Sequence, residues 1–316
     1  MKVKGFLAHL VGKPQAAITP WRDIIVKHIY YRRLVGNKGS YFMREDWDNL
    51  IILDGCRYDL FEKNNHINGK LEYRISRGSC TGEFLKRNFS DGKFNDTIYI
   101  TANPLVNYHV PDSFFKIIPV WKKGWHERYG TVLPETVVEN TLNVDKEFPH
   151  KRLIIHFMQP HYPYIGKRSR EKIGYHDGIL SRYLFKDKKK SEHTTQLVWN
   201  LLKYKKLDKK IVWEAYEENF QIVLEQAEKL IKKFTGKSVI TSDHGNLFGE
   251  RIFPFFIKEY GHPSGIYTKN LLKVPWLICE KGNRKKIKEE PLHMNNQEEV
   301  KKGKIKEKLK SLGYID

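Results

Sequence analysis

Residues 238–251 read SVITSDHGNLFGER. Val239 and Ile240 have the character of the end of a buried strand, and Asp243 and His244 follow side by side, just before a glycine at which the backbone can turn. A carboxylate taken out of water is unfavourable unless it is paired or bound to a metal. For an isolated Asp-His-Gly a polar turn after a strand is explanation enough. The rest of the chain decides whether it suffices here.

The same pattern recurs upstream. NLIILDGCRYDLFE, from Asn49, has four apolar residues, Leu50 to Leu53, then an abrupt Asp54-Gly55 and a helix opening at Tyr58. In LEYRISRGSCTGEFLKRNF a short strand, Leu71 to Ile75, leads to a Gly-Ser-Cys-Thr turn and a helix starting near Thr81. Free backbone N–H groups at such a helix start favour anions, although N-capping alone also explains a threonine there. DTIYITAN (96–103) reads as a strand and TVLPETVVENTLN as a helix with Pro134 near its start. KRLIIHFMQPHYPYIG is a strand running into a proline-rich loop with His156 and His161, and LLKVPWLICE is a further buried strand. Apolar residues at 212, 216, 220, 223, 224, 227, 230 and 231 mark a long amphipathic helix ending at Gly236.

Strands alternating with helices predict an α/β fold, a sandwich with a largely parallel central sheet. Residues 1–45 are expected to form a basic N-terminal arm packed on one domain, 46–316. Within that domain, 166–210 is read as an insertion or lid and 297–312 as a C-terminal helix. In open sheets of this kind, ligands collect where loops leave the carboxyl ends of the strands. Asp54, Thr81, His156, His161 and the Asp243-His244 pair all fall just beyond predicted strands.

The 316 residues carry 57 Lys and Arg against 37 Asp and Glu, a formal charge of +20. That balance favours anionic small molecules, glycans, lipid head groups or an anionic membrane surface. Lysine runs such as KDKKK at 186–190 read as solvated loops, and no nucleic-acid-binding module with interleaved aromatics is present. The three cysteines lack paired or metal-type spacing, which fits a reducing compartment. The expected location is cytoplasmic, with peripheral contact to a membrane through the basic surface.

Two carboxylates and an imidazole suit a divalent cation, Zn²⁺ or Mn²⁺ first and Ca²⁺ as a further candidate. A hydroxyl held against that cation becomes a nucleophile at neutral pH. The ordered set IILDGCRYD, GSCTGEFL, HFMQPHYPYIG, VITSDHGNLFGER, YGHPSG with KVPWLI, and LKSLGYID resembles the sulfatase-like branch of the alkaline phosphatase superfamily, from about Asn49 to Asp316. The resemblance implies an alkaline-phosphatase-like three-layer sandwich. It implies that Asp54, Asp243 and His244 bind metal together with Thr81, the nucleophile. His161 and His262 match catalytic or second-metal positions. His156 is a weaker substrate-binding candidate, and Arg57 either holds the substrate phosphate or anchors its loop.

The departures narrow the expectation. SCTGEF lacks the proline and arginine of the signature that directs a cysteine to formylglycine, which argues against that cofactor and against a true sulfatase. The acidic pair of many sulfatases is here a single Asp54 followed by Gly55. The resulting expectation is a metal-dependent hydrolase or transferase of phosphoesters working through a phospho-threonine. A sulfate-ester hydrolase and a non-catalytic relative that binds polyanions or a partner are the alternatives.

Overall fold

Strand β1 (Asn49–Asp54) is buried at every residue, so the sheet is covered on both faces where this strand runs. A computed structural model describes residues 24–173 and 194–290. The other strands are β2 (Lys70–Ile75), β3 (Phe94–Thr101), β4 (Phe114–Pro119), β5 (Trp125–His126), β6 (Thr131–Val132), β7 (Arg152–Pro160), β8 (Gly236–Thr241), β9 (Leu247–Ile252), β10 (Ile257–Gly261) and β11 (Lys273–Lys281). Seven of them form one sheet in the order β2-β11-β8-β1-β7-β3-β4. β1 lies between β7 and β8, parallel to both, and β3 is parallel to β7 and β4. β11 is antiparallel to both of its neighbours, β8 and β2. The sheet is therefore mixed but mostly parallel, as expected for the α/β class.

The helices are α1 (Tyr58–Asn64), α2 (Thr81–Phe89), α3 (Leu105–His109), α4 (Pro134–Glu147), α5 (Lys167–Lys172), α6 (Thr194–Lys203), α7 (Lys209–Lys233) and α8 (Lys269–Leu272). α7 is the amphipathic helix read from the sequence. Asp208 caps it by accepting from the Lys210 N–H, and Tyr216, Phe220, Val223, Leu224, Ala227 and Leu230 are buried along one stripe. Pro134 sits in the first turn of α4, where its missing N–H costs nothing. Part of the region expected to be an insertion is helical: α5 and α6 flank residues 174–193, which lie outside the described residues, as does the expected helix at 297–312. The described part of the N-terminal arm includes a π-type helix, Ile24–Val35. Its Val26 and Tyr31 are buried with Leu247, Ile252, Ile266 and Leu271 in a second, smaller core.

Several elements were not anticipated. β4 extends the sheet beyond β3, and β9 with β10 forms a separate antiparallel hairpin. That hairpin leaves the sheet immediately after Asp243-His244 and returns just before His262.

The amino end of β1 is pinned from far along the chain. Arg284 donates to Asp48 from Nε (2.5 Å) and from Nη2 (3.2 Å), and to Asp46 at 2.7 and 3.1 Å. Asp48 is buried, so removing its cation leaves a carboxylate without a charged partner. Arg284→Ala is expected to cost about 2 kcal/mol in urea unfolding, since the half-exposed arginine leaves a gap that water can enter. Arg284 also holds the Asp46 carboxyl down to about 2. A depressed carboxylate stabilises above its ordinary value of roughly 4, and that contribution disappears as pH falls through about 2. The variant should therefore lose less stability than the parent across this acid range. Equal acid sensitivity in the two proteins would contradict the assignment.

Candidate metal centre and active site

Asp54 closes β1, and Asp243-His244 follow β8 by two residues, so adjacent parallel strands carry all three to the same edge of the sheet. Thr81 arrives from another direction, as the first residue of α2. The helix N-cap is Cys80, and the Thr81 hydroxyl does not cap. It lies 2.8 Å from Asp243 Oδ2 and 3.2 Å from His244 Nε2. His244 Nε2 is 3.4 Å from Asp243 Oδ2 and 3.7 Å from Asp54 Oδ1. All four side chains are fully buried.

Backbone geometry around the cluster explains the glycine after Asp54. Gly55 has φ +66°, and a Cβ there would come within 2.7 Å of Asn246 Nδ2. The turn aims the Gly55 N–H at Asp243 Oδ1 (2.9 Å), which also accepts from the His244 N–H at 2.9 Å. Asn246 and Tyr216 donate to the Gly55 carbonyl at 2.9 and 2.6 Å. Ser76 donates to the Asp243 carbonyl, and Ser242 to the His244 carbonyl at 2.6 Å.

The tautomer of His244 follows from its contacts. Nδ1 faces the Gly245 carbonyl at 2.8 Å, an oxygen that can only accept, so Nδ1 carries the proton of the neutral ring. Nε2 then presents its lone pair to the cluster. Asp54, Asp243 and His244 each bring one donor atom to a group whose members lie within 4.8 Å of one another. Two carboxylates and a bare imidazole nitrogen at these separations fit a small divalent cation with bonds of about 2.0–2.2 Å. At Asp54 burial raises the carboxyl pKa. The His156, His161 and His244 imidazoles around it outweigh burial and hold it below the ordinary range.

His161 and His262 come together at the same edge, with Nε2 atoms 2.8 Å apart. His161 Nδ1 faces the Tyr162 carbonyl, so it too is protonated at Nδ1 and can accept at Nε2. The His262 ring stacks at 4.5 Å from the His244 ring, measured between centroids. Burial pushes both imidazoles below the usual histidine range, and at His262 the adjoining His244 and His161 rings, which would repel a further positive charge, lower it further. Both are neutral at pH 7.

The other two candidates have contacts unlike those of substrate ligands. The Arg57 guanidinium grips Asp59 in bidentate fashion at 2.8 and 2.6 Å. Its Nη1 donates to Glu250 at 2.6 Å and to the Asn246 carbonyl at 3.1 Å, and the group lies 5.2 Å from the Trp213 ring centroid. These contacts tie Arg57 to α1 and to the segment that follows Asp243-His244. His156 is fully buried, with Nδ1 2.9 Å from the Tyr99 hydroxyl and Nε2 3.5 and 4.0 Å from Oδ2 of Asp54 and of Asp243. It lies against the two carboxylates. The cysteines near the site are protonated at neutral pH. Burial pushes the Cys80 thiol up to about 12, helped by the Glu83 charge, and burial raises Cys56 well above its usual value.

Sequence reasoning missed several residues. Asn103 donates to Asp54 Oδ2 at 2.7 Å, and Asn219 reaches from α7 to hold the carbonyls of Pro160, His161 and Pro163 at 3.1–3.3 Å. Asn103 closes the strand read at 96–103, so the rule that singled out Asp54 also applied to it. Tyr99, Asn219 and Tyr216 carry no local signal, since each meets its partner across more than 50 residues of chain.

The seven-stranded, mostly parallel sheet with its loop-borne acid, imidazole and hydroxyl cluster is that of an α/β protein. No family model and no curated protein matches the chain. Among solved structures it is similar to the soluble domain of lipooligosaccharide phosphoethanolamine transferase A from Neisseria meningitidis. The TM-score is 0.46 and the identity 14%, over 73% of this chain and 75% of that one. It also aligns with the integral membrane protein EptA from that organism (TM-score 0.46, 12% identity, 87% of this chain), of which it spans 58%. The C-terminal periplasmic domain of EcEptC from Escherichia coli, in complex with Zn, aligns at TM-score 0.44 and 13% identity over 78% of this chain and 76% of that one.

Proposed function

We propose that the protein is a phosphoester transferase or hydrolase that uses Thr81 as its nucleophile. One observation carries this reading. The Thr81 hydroxyl, at the start of a helix, lies within 3.2 Å of both a carboxylate oxygen and a bare imidazole nitrogen, in a shell with the chemistry of a cation site. A divalent cation held by Asp54, Asp243 and His244 would lower the hydroxyl pKa and offset phosphoryl charge.

The chain's own groups supply the rest. Asp243 Oδ2, which already accepts from the Thr81 hydroxyl, takes the Thr81 proton as the Oγ–P bond forms and the ester P–O bond breaks. The backbone N–H groups opening α2 face the added phosphoryl charge. His161 and His262, with Nε2 atoms 2.8 Å apart, can orient and hydrogen-bond the departing oxygen, which takes its proton from water. Water or an acceptor alcohol then takes the phosphoryl group from threonine. His156, held by Tyr99, and Asn103 keep the carboxylates in place, and Arg57 fixes the Asp54 loop. The strongly basic chain suits an anionic substrate, such as a phosphorylated glycan, polyol or lipid head group.

The test combines metal analysis of the purified protein with parallel turnover of phosphate monoesters, phosphodiesters and sulfate esters. Stoichiometric zinc or manganese with turnover of a phosphoester is the expected result. Preference for sulfate esters would move the assignment to sulfate hydrolysis. A protein free of divalent metal and inert to chelator would indicate a binding role without catalysis.

A further inference from the structure

The tip of the β9–β10 hairpin is built from Phe253-Pro254-Phe255-Phe256, and its three phenylalanines are 45%, 49% and 57% exposed. Water-facing aromatics at this density are unfavourable unless something covers them. The Phe253 ring packs 4.7 Å from Tyr30 and 5.6 Å from Phe256, so the tip is continuous with the π-type helix Ile24–Val35. That helix exposes Ile29 (46%) and Leu34 (72%) while its Val26 and Tyr31 stay in the small core. The exposed apolar groups thus stand on a platform fixed to the domain.

Charge indicates what covers them. The hairpin tip carries Arg251 and Lys258, and the π-type helix carries exposed Arg33 beside Leu34, while Arg32 is paired with Glu83 at 3.6 Å. Arg251 donates to the Phe256 carbonyl at 2.9 Å, which ties a cation to the apolar tip. Aromatic rings on a hairpin tip that also carries Arg251 and Lys258 match a lipid interface, where rings enter the head-group layer and cations meet anionic phosphates. We propose that this surface docks the protein on an anionic lipid bilayer. The proposal stands on the surface alone and does not depend on the phosphoester reading.

The experiment is co-sedimentation of the full chain with phosphatidylcholine vesicles, with and without phosphatidylglycerol. The expected result is binding that requires phosphatidylglycerol and weakens as salt rises. The triple variant Phe253→Ser/Phe255→Ser/Phe256→Ser should bind at least roughly tenfold more weakly, with an unchanged melting temperature and unchanged turnover of a soluble substrate. Phe256→Trp provides a readout that does not require the triple variant to fold: brominated-chain lipid should quench its fluorescence beyond that of the parent. No binding by the parent, full binding by the triple variant, or no added quenching would overturn the proposal. So would loss of a lipid-independent dimer in the triple variant, which would assign the surface to a second copy of the chain.

Discussion

Thr81→Ala is expected to lower phosphoester turnover by on the order of 10⁴-fold or more, the scale of losing a covalent nucleophile. The protein should remain folded. Asp243 still accepts from the N–H groups of Gly55 and His244, so deleting the hydroxyl costs about 1 kcal/mol of stability. Metal should also remain bound, since Asp54, Asp243 and His244 are untouched. Thr81→Ser keeps an oxygen in place and should retain turnover within about tenfold. Rapid quenching of the parent with substrate should yield a phosphorylated peptide containing Thr81. If the alanine variant turns over within tenfold of the parent, the nucleophile lies elsewhere and the reading of the site fails.

The second large effect concerns the shell itself. Asp243 is bound from three sides, by Gly55 N and His244 N at Oδ1 and by Thr81 at Oδ2. Asp243→Ala should abolish turnover and weaken divalent-ion binding by more than about a hundredfold, since ligand loss exceeds the loss from disturbing its supports. Ligand binding stabilises a fold by mass action, so stripping metal from the parent should lower its melting temperature by on the order of 5–10 °C. The variant should show little further drop with chelator. A parent whose melting temperature ignores chelator would remove the metal from the account.

The four residues that build the shell were readable for a physical reason. The middle of β1 and of β7 is covered on both faces, so Leu50 to Leu53 and Leu153 to Ile155 run without a polar break, and a carboxylate just beyond such a run stands out. Thr81 was readable because a Gly-Ser-Cys turn precedes its helix. The direction of β11 was not, since its apolar run looks the same in a parallel or an antiparallel place. The β9–β10 hairpin was hidden by its composition: LFGERIFPFFIKEYG mixes charges and rings without regular alternation. Arg57 and His156 were identified as site residues on type and position. Their partners, Glu250 for one and Tyr99 for the other, come from distant stretches of chain and decide what each can do.

Gly55 has a consequence for which ion the protein can come to use. The most direct way to enrich the shell in hard oxygen donors would be a second acid beside Asp54. The left-handed backbone and the neighbouring Asn246 amide penalise any side chain at that position. The simplest evolutionary step toward a calcium-type cage of six to eight oxygens is therefore disfavoured by a turn, before ligand chemistry enters. Selectivity for an imidazole-tolerant ion such as zinc would then be protected by backbone conformation, and relaxing it would require remodelling the turn together with Asn246.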